Sequence, residues 1–191
     1  MKLVLPSFLI AVAIGYARGG RLAALGRLRL RWQGLAIVGL ALQIVLWPGG
    51  SWPLVYLYVS FVILATFAIV NIRTTGFALI LAGIALNFAV IVVNEGMPVS
   101  RAAIVASGQA STMDELVNDG GAKHHLATED DRVRFLGDVI AIGPLEQAIS
   151  VGDVLTYGGV MMFIAAAMGR RPRRPAVSPA ALAGETGHVD A

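Results

Sequence analysis

The chain has 191 residues, 57% of them apolar and only 14% charged, where a soluble domain carries about a quarter charged residues. No Asp or Glu occurs before Glu95, and the basic residues of that half, Lys2, Arg18, Arg21, Arg27, Arg29, Arg31 and Arg73, leave long uncharged runs between them. This pattern excludes an ordinary soluble globule, a disordered chain and a coiled coil, and the absence of cysteine excludes disulfides, thiolate metal sites and a cysteine nucleophile.

A helix needs about 20 residues to cross the roughly 30 Å hydrocarbon layer. Five stretches approach that length, so the fold expected is all-α, a polytopic membrane bundle with spans at about 1–17, 32–47, 54–72, 74–94 and 151–169. The first is slightly short and would use Lys2 or Arg18 as snorkelling ends. The run from Trp32 to Ile72 holds 41 uncharged residues, too many for one span. Pro48-Gly-Gly-Ser-Trp-Pro53 breaks it into a hairpin, with Trp47 and Trp52 at an interface. Residues 95–150 then form an outer loop region between the fourth and fifth spans, and 170–191 read as a disordered cytoplasmic tail.

Short loops rich in Lys and Arg stay in the cytoplasm. With the N-terminus outside, ten basic residues, Arg18 to Arg31, Arg73 and Arg170 to Arg174, lie inside against five outside. The expected location is therefore the cytoplasmic membrane, multi-pass, N-terminus out and C-terminus in. A cleaved signal peptide would require the arginines of 18–31 to be exported just after the first span, which the charge bias opposes. The sequence pI near 9.7 thus reports orientation, and no nucleic-acid partner is expected, because the arginines flank apolar runs.

In the fourth span Gly76, Gly83, Asn87 and Asn94 are spaced so that, at 100° per residue, all four fall within about 20° of one line. One reading is a packing seam, with Gln43 a plausible hydrogen-bond partner for Asn87. The other has Asn94 pointing into a site roofed by the outer loop. That loop contains an echo: Leu136-Gly-Asp-Val-Ile140 recurs as Val151-Gly-Asp-Val-Leu155. If Asp138 and Asp153 lie close at the edge of a low-dielectric layer they share a proton and can activate a water, so both are the candidate catalytic residues. Structural readings stand beside this one. Ser150-x-x-Asp153 has capping-box spacing, and Asp138 after Gly137 is a turn residue capping local amides.

His124 and His125 in an extended chain point to opposite sides and would not chelate one metal together, so no metal site is assigned. Glu129, Asp130 and Asp131 read as a solvated helix start after Thr128. The residues assigned to substrate or partner binding are Asn87, Asn94, Glu95, His124 and Arg134. No phosphate loop, dinucleotide fingerprint or Gly-x-Ser-x-Gly elbow occurs, and no cofactor is expected.

Asn94-x-Gly-Met-Pro-Val99, Lys123-His124 with Thr128, Phe135-Leu-Gly-Asp-Val-Ile140 and Ser150-Val-Gly-Asp-Val-Leu155 together resemble an uncharacterised bacterial family of five-span membrane proteins, a domain of unknown function. The resemblance extends to about Gly169 and implies an integral membrane protein without an assigned activity. The last two spans are also distantly similar to lipoprotein signal peptidase, an aspartyl enzyme. Asp138 and Asp153 stand in comparable order and Asn94 in a comparable place, while the Asn-x-x-Asp-Arg pattern of that family is missing. Two functions follow as expectations. The first is a non-catalytic membrane subunit or scaffold, docking a protein partner through the acidic outer loop. The alternative is an aspartyl peptidase-like enzyme acting on a membrane-anchored peptide through an Asp138/Asp153 dyad. Transport is a weaker third, since no inverted repeat and no mid-span ionisable residue supports it.

Overall fold

A computed structural model describes residues 2–44, 52–113 and 123–169. The expected turn at 48–51, the acids at 114–115 and the tail from 170 lie outside them. The described chain is mostly helical. Helices α1 (Val4–Ala17), α2 (Gln33–Ile44), α3 (Trp52–Val70), α4 (Phe77–Asn94) and α6 (Val151–Met168) alternate in direction, and a short α5 (Arg101–Ala106) lies between the last two. Among the described residues α4 and α6 are long and apolar enough to cross a membrane; α1, α2 and the Leu54–Val70 part of α3 are apolar but shorter.

The helices pack side by side in the order α1, α6, α4, α3, α2, so the closing helix inserts between the first and the fourth. The α4–α6 contact is the closest approach. Gly76 and Gly83 on α4 meet Gly159 and Gly152 on α6, and a Cβ on any of the four would run into the facing helix's backbone or side chains. Gly76 is also needed for its left-handed φ of 90°, which delays the helix start to Phe77, three residues later than expected. Rings meet edge to face outward from the seam, Phe163 against Phe77 at 5.4 Å and Phe77 against Phe67 at 5.5 Å, tying α6 to α4 and α3. Ser60 Oγ donates to the carbonyl of buried Gly39 at 2.7 Å and fastens α3 to α2.

The described residues between 95 and 150 depart from the all-helical expectation by building a small cap that includes four three-residue strands. β1 (Met97–Val99) pairs in parallel with β2 (His124–Leu126), and Val99 bridges Asp138 on its other side. β3 (Ile140–Ile142) and β4 (Gln147–Ile149) form an antiparallel hairpin with Ile140 opposite Ile149. The expected helix after Thr128 is absent; in its place is a turn in which Asp131 Oδ2 accepts from the Thr128 amide at 2.7 Å.

The array has two faces. Lys2 Nζ lies 3.0 Å from Glu146 Oε2, placing the start of α1 on the cap side. The Lys123 ammonium donates to the Gln43 carbonyl, placing the end of α2 there too. On the other face the Arg21 amide donates to the Met168 carbonyl at 3.0 Å, and Asn71 holds the backbone of Arg31.

Candidate functional site

The two Gly-Asp elements meet because the β3–β4 hairpin joins them. Pairing Ile140 with Ile149 folds the chain back on itself, so Asp138, two residues before one strand, returns to the level of Ser150, one residue after the other. The 15-residue separation of the echo is the length of this hairpin and its flanks.

Asp153 is consumed by structure. Ser150 Oγ accepts from the Asp153 amide at 2.9 Å and Asp153 Oδ2 accepts from the Ser150 amide at 3.1 Å, a complete capping box at the start of α6. Its other oxygen accepts from Asn87 Nδ2 at 2.8 Å, and Ser150 Oγ donates to Asn87 Oδ1 at 2.8 Å. The Asn87 amide is therefore satisfied on both sides, and Asn87 is buried. Gln43 does not supply its partner, since Ser150 and Asp153 occupy both ends of the amide. Gly152 allows this contact, since a Cβ there would strike Asn87 Oδ1.

Asp138 is the contrast. Its backbone is fixed on β1, the amide donating to the Pro98 carbonyl and the carbonyl accepting from the Ser100 amide, both at 3.0 Å. The residue is buried at 7% exposure, yet among the described residues nothing donates to its carboxyl group, so it does not cap local amides as a turn aspartate would. His124 stands beside it, Nε2 to Oδ2 at 3.8 Å, beyond hydrogen-bond length. Burial pushes the Asp138 carboxyl up to about 8, with the charge of Asp153 adding to the rise. His124 is held below the ordinary histidine range. Crowding by the surrounding protein is the main cause, aided by Lys123 and His125 and opposed by Asp153. About half of its side-chain surface remains open, so solvent screens part of that effect. Near neutral pH the pair is a carboxylic acid beside a neutral imidazole, one group able to give a proton and the other to take one.

The remaining candidates divide. Asn94 does not face this cluster; its Oδ1 accepts from the Arg132 amide at 2.7 Å and its Nδ2 donates to the Arg132 carbonyl at 3.0 Å. Arg134 donates to the Thr128 carbonyl at 3.0 Å within the same turn. Glu95 is exposed in the left-handed residue that ends α4. The histidines do part to opposite sides, and His125 Nε2 pairs with Asp131 Oδ1 at 2.9 Å. Burial alone would raise Asp131, but the Thr128 amide and His125 together bring it below the usual carboxylate range. Among the described residues no three His, Asp or Glu side chains converge as metal ligands. The His125–Asp131 pair and the Ser150 link to Asn87 escaped sequence reasoning. The Ser-x-x-Asp spacing flagged the cap but carried no information on what lies across the helix contact.

A family of unknown function, DUF5317, matches residues 27–165, and the chain belongs to that family. Neither the curated proteins nor the solved structures give a significant match.

Proposed function

We propose that this member of the DUF5317 family is a five-span integral membrane protein, N-terminus and cap outside, that serves as a non-catalytic subunit or scaffold docking a protein partner through the cap. The observation that carries the scaffold reading is the structural use of three of the candidate polar groups, Asp153, Asn87 and Asn94. Both Asp153 oxygens, both ends of the Asn87 amide and both ends of the Asn94 amide are spent on holding the cap to the helix ends. Groups satisfied in this way rigidify a platform and leave little for a substrate. Ten of the twelve acids fall between Glu95 and Asp153, and among the described residues of the cap Glu95, Glu129, Asp130 and Glu146 are exposed beside Arg101, Arg132 and Arg134, a mixed charged surface that a partner of complementary pattern would recognise. The topology is supported by the two faces of the array: the cap, Lys2 and the end of α2 share one, while Arg18–Arg31, Arg73 and the end of α6 share the other. α4 and α6 at 18 residues reach about 27 Å, and α1 at 14 residues about 21 Å, so the outer helices require local bilayer thinning or snorkelling ends.

Affinity purification from mild detergent is the direct test, with recovery of a stoichiometric membrane or periplasm-facing partner expected. The partner should be lost on reversing charges at Glu129 and Asp130, both exposed. Recovery of the chain alone, at native expression, counts against the scaffold.

The Asp138 carboxyl favours the enzyme as a second reading, because a buried acid without a donor among the described residues, pushed up to about 8 and so protonated at neutral pH, is what a general acid requires. On that reading Asp138→Asn and Asp153→Asn each abolish processing of a membrane-anchored peptide while the protein still accumulates. Full biological activity in both variants would end it.

A further inference from the structure

Two asparagines on opposite faces of the array make the same contact. Asn71, just beyond α3, accepts from the Arg31 amide at 2.9 Å and donates to the Arg31 carbonyl at 2.9 Å, and its Nδ2 also donates to the Phe67 carbonyl four residues back. Asn94, ending α4, treats Arg132 identically and reaches back to the Val90 carbonyl at 2.9 Å. Each side chain pairs with one arginine's backbone as a neighbouring strand would, while giving a further donor to the carbonyl one turn back in its own helix. The residue after each clasped arginine is then left-handed without being glycine, Trp32 at φ 54° and Val133 at φ 48°. A new helical turn follows directly, α2 from Gln33 in one case and the 3₁₀ turn Arg134–Leu136 in the other.

Left-handed backbone at a β-branched residue is costly and persists only where its surroundings impose it. The clasp on Arg132 is that constraint, and its product is an outward turn. Phe135 is 68% exposed and Val133 42% exposed, with Arg132 and Arg134 exposed beside them. The turn abuts the last turn of α4, where Val92 and Val93 are likewise exposed. On the opposite face the matching device presents Trp32, exposed, beside exposed Arg31.

We propose that residues 132–135 are an interfacial anchor: Val133 and Phe135 enter the outer edge of the hydrocarbon layer, and Arg132 and Arg134 stand at the level of the lipid phosphates. The occupant is the phospholipid surface, because the turn continues the exposed apolar side of α4 and because its counterpart offers the Trp-Arg pairing that suits a headgroup boundary. Glu129 and Asp130 are exposed just before it, so the anchor takes zwitterionic phosphates and does not depend on net anionic lipid. It rests on the membrane-spanning reading proposed above.

The chain has no cysteine, so single variants accept one nitroxide label each. In phosphatidylcholine nanodiscs the full chain is labelled at Phe135→Cys, at Ala85→Cys on the exposed side of α4 and at Glu129→Cys, and collision with oxygen is compared with collision with an aqueous nickel chelate. The expected result is a deep Ala85 label, a Glu129 label in water, and a Phe135 label favouring oxygen at a depth just below the phosphates. A Phe135 label as nickel-accessible as Glu129, with Ala85 deep, overturns the anchor and leaves the spans standing. A nickel-accessible Ala85 overturns the spans and the anchor with them. A Phe135 label immobilised and shielded from both reagents places a protein partner there and overturns the lipid assignment. Asn94→Ala should carry the Phe135 label outward into water, and an unchanged depth would remove the clasp from the proposal.

Discussion

The segments 136–140 and 151–155 bring nearly the same five residues, an aliphatic, Gly-Asp and two aliphatics, into opposite environments. In both, the glycine is a point of close approach, Gly137 on the Pro98 carbonyl and Gly152 on Asn87. The aspartate that follows differs entirely. At position 153 it is the third residue of a helix, and its neighbours supply donors to both oxygens. At position 138 the backbone is bridged to β1 and the residue is buried, and among the described residues nothing donates to its carboxyl. A residue's chemistry here comes from the hydrogen-bond geometry of its backbone, and a local motif repeats without repeating its role.

The largest effect should come from the glycines. Gly152→Leu forces α6 away from α4 at their closest contact, where overpacking costs about 3 kcal/mol or more. Detergent-solubilised protein is expected to lose its monodisperse peak on size exclusion and its cooperative melt. Gly137→Leu displaces only the bridge from β1, and the helical array should remain folded with its far-ultraviolet spectrum intact. If the two variants behave alike, the cap and the helices are one cooperative unit.

Asp138 should next be visible as a pH dependence. A carboxyl at about 8 in the folded protein, against 3.8 ordinarily, binds its proton more tightly folded than unfolded. Stability then falls as pH rises from about 4 to about 8, by at most about 1.4 kcal/mol per pH unit, and is level above that. Asp138→Asn removes the slope and leaves the protein nearly unchanged below about pH 4, where the wild-type carboxyl is neutral both folded and unfolded. A melting series across that range, wild type against variant, measures the difference directly. Parallel curves would mean that the carboxyl is ionised and solvated.

Substituting Asp153 acts through hydrogen bonds. Asp153→Ala strips partners from Asn87 Nδ2 and the Ser150 amide together, a loss of about 1–3 kcal/mol at neutral pH from unsatisfied buried groups. Loss of that charge should also bring the Asp138 transition to lower pH, because Asp153 is one of the two causes of its rise. Chemical denaturation at pH 7, with Asp138→Asn as the neutral comparison, reads both aspartates on one scale.

The helices were legible in the sequence because apolar length and arginine placement are coarse signals. Boundaries erred where a side chain intervened: α3 ends at Val70, two residues early, since Asn71 turns to clasp Arg31. The spacing of Gly76, Gly83 and Asn87 marked one side of a packing seam. Gly152 and Gly159 on the facing helix were not recognised as its other half, although they share the seven-residue spacing of Gly76 and Gly83. The cap was the least legible part. Its strands are three residues long and pair across gaps of about 27 and seven residues, too short for periodicity to register. Ser-x-x-Asp declared the capping box, but nothing in Leu-Gly-Asp-Val-Ile indicated a carboxyl without a donor. That depends on which backbone lies alongside.

The smallest effect belongs to the contact at the tip of the hairpin that joins the two elements. Lys2 and Glu146 pair at 3.0 Å, but both side chains are more than half exposed, and such pairs contribute under about 0.5 kcal/mol once entropy and screening are counted. Glu146→Gln should therefore leave the melting temperature and the Asp138 pH transition where they are, at low and at high salt. The hairpin is closed by its own register, Ile140 on Ile149, with Ile149 buried and the chain continuing directly into the capping box. A Glu146→Gln variant that shifted the Asp138 transition would show that the surface pair sets the distance between the two aspartates. The contrast between them would then depend on the position of the N-terminus as well as on local backbone geometry.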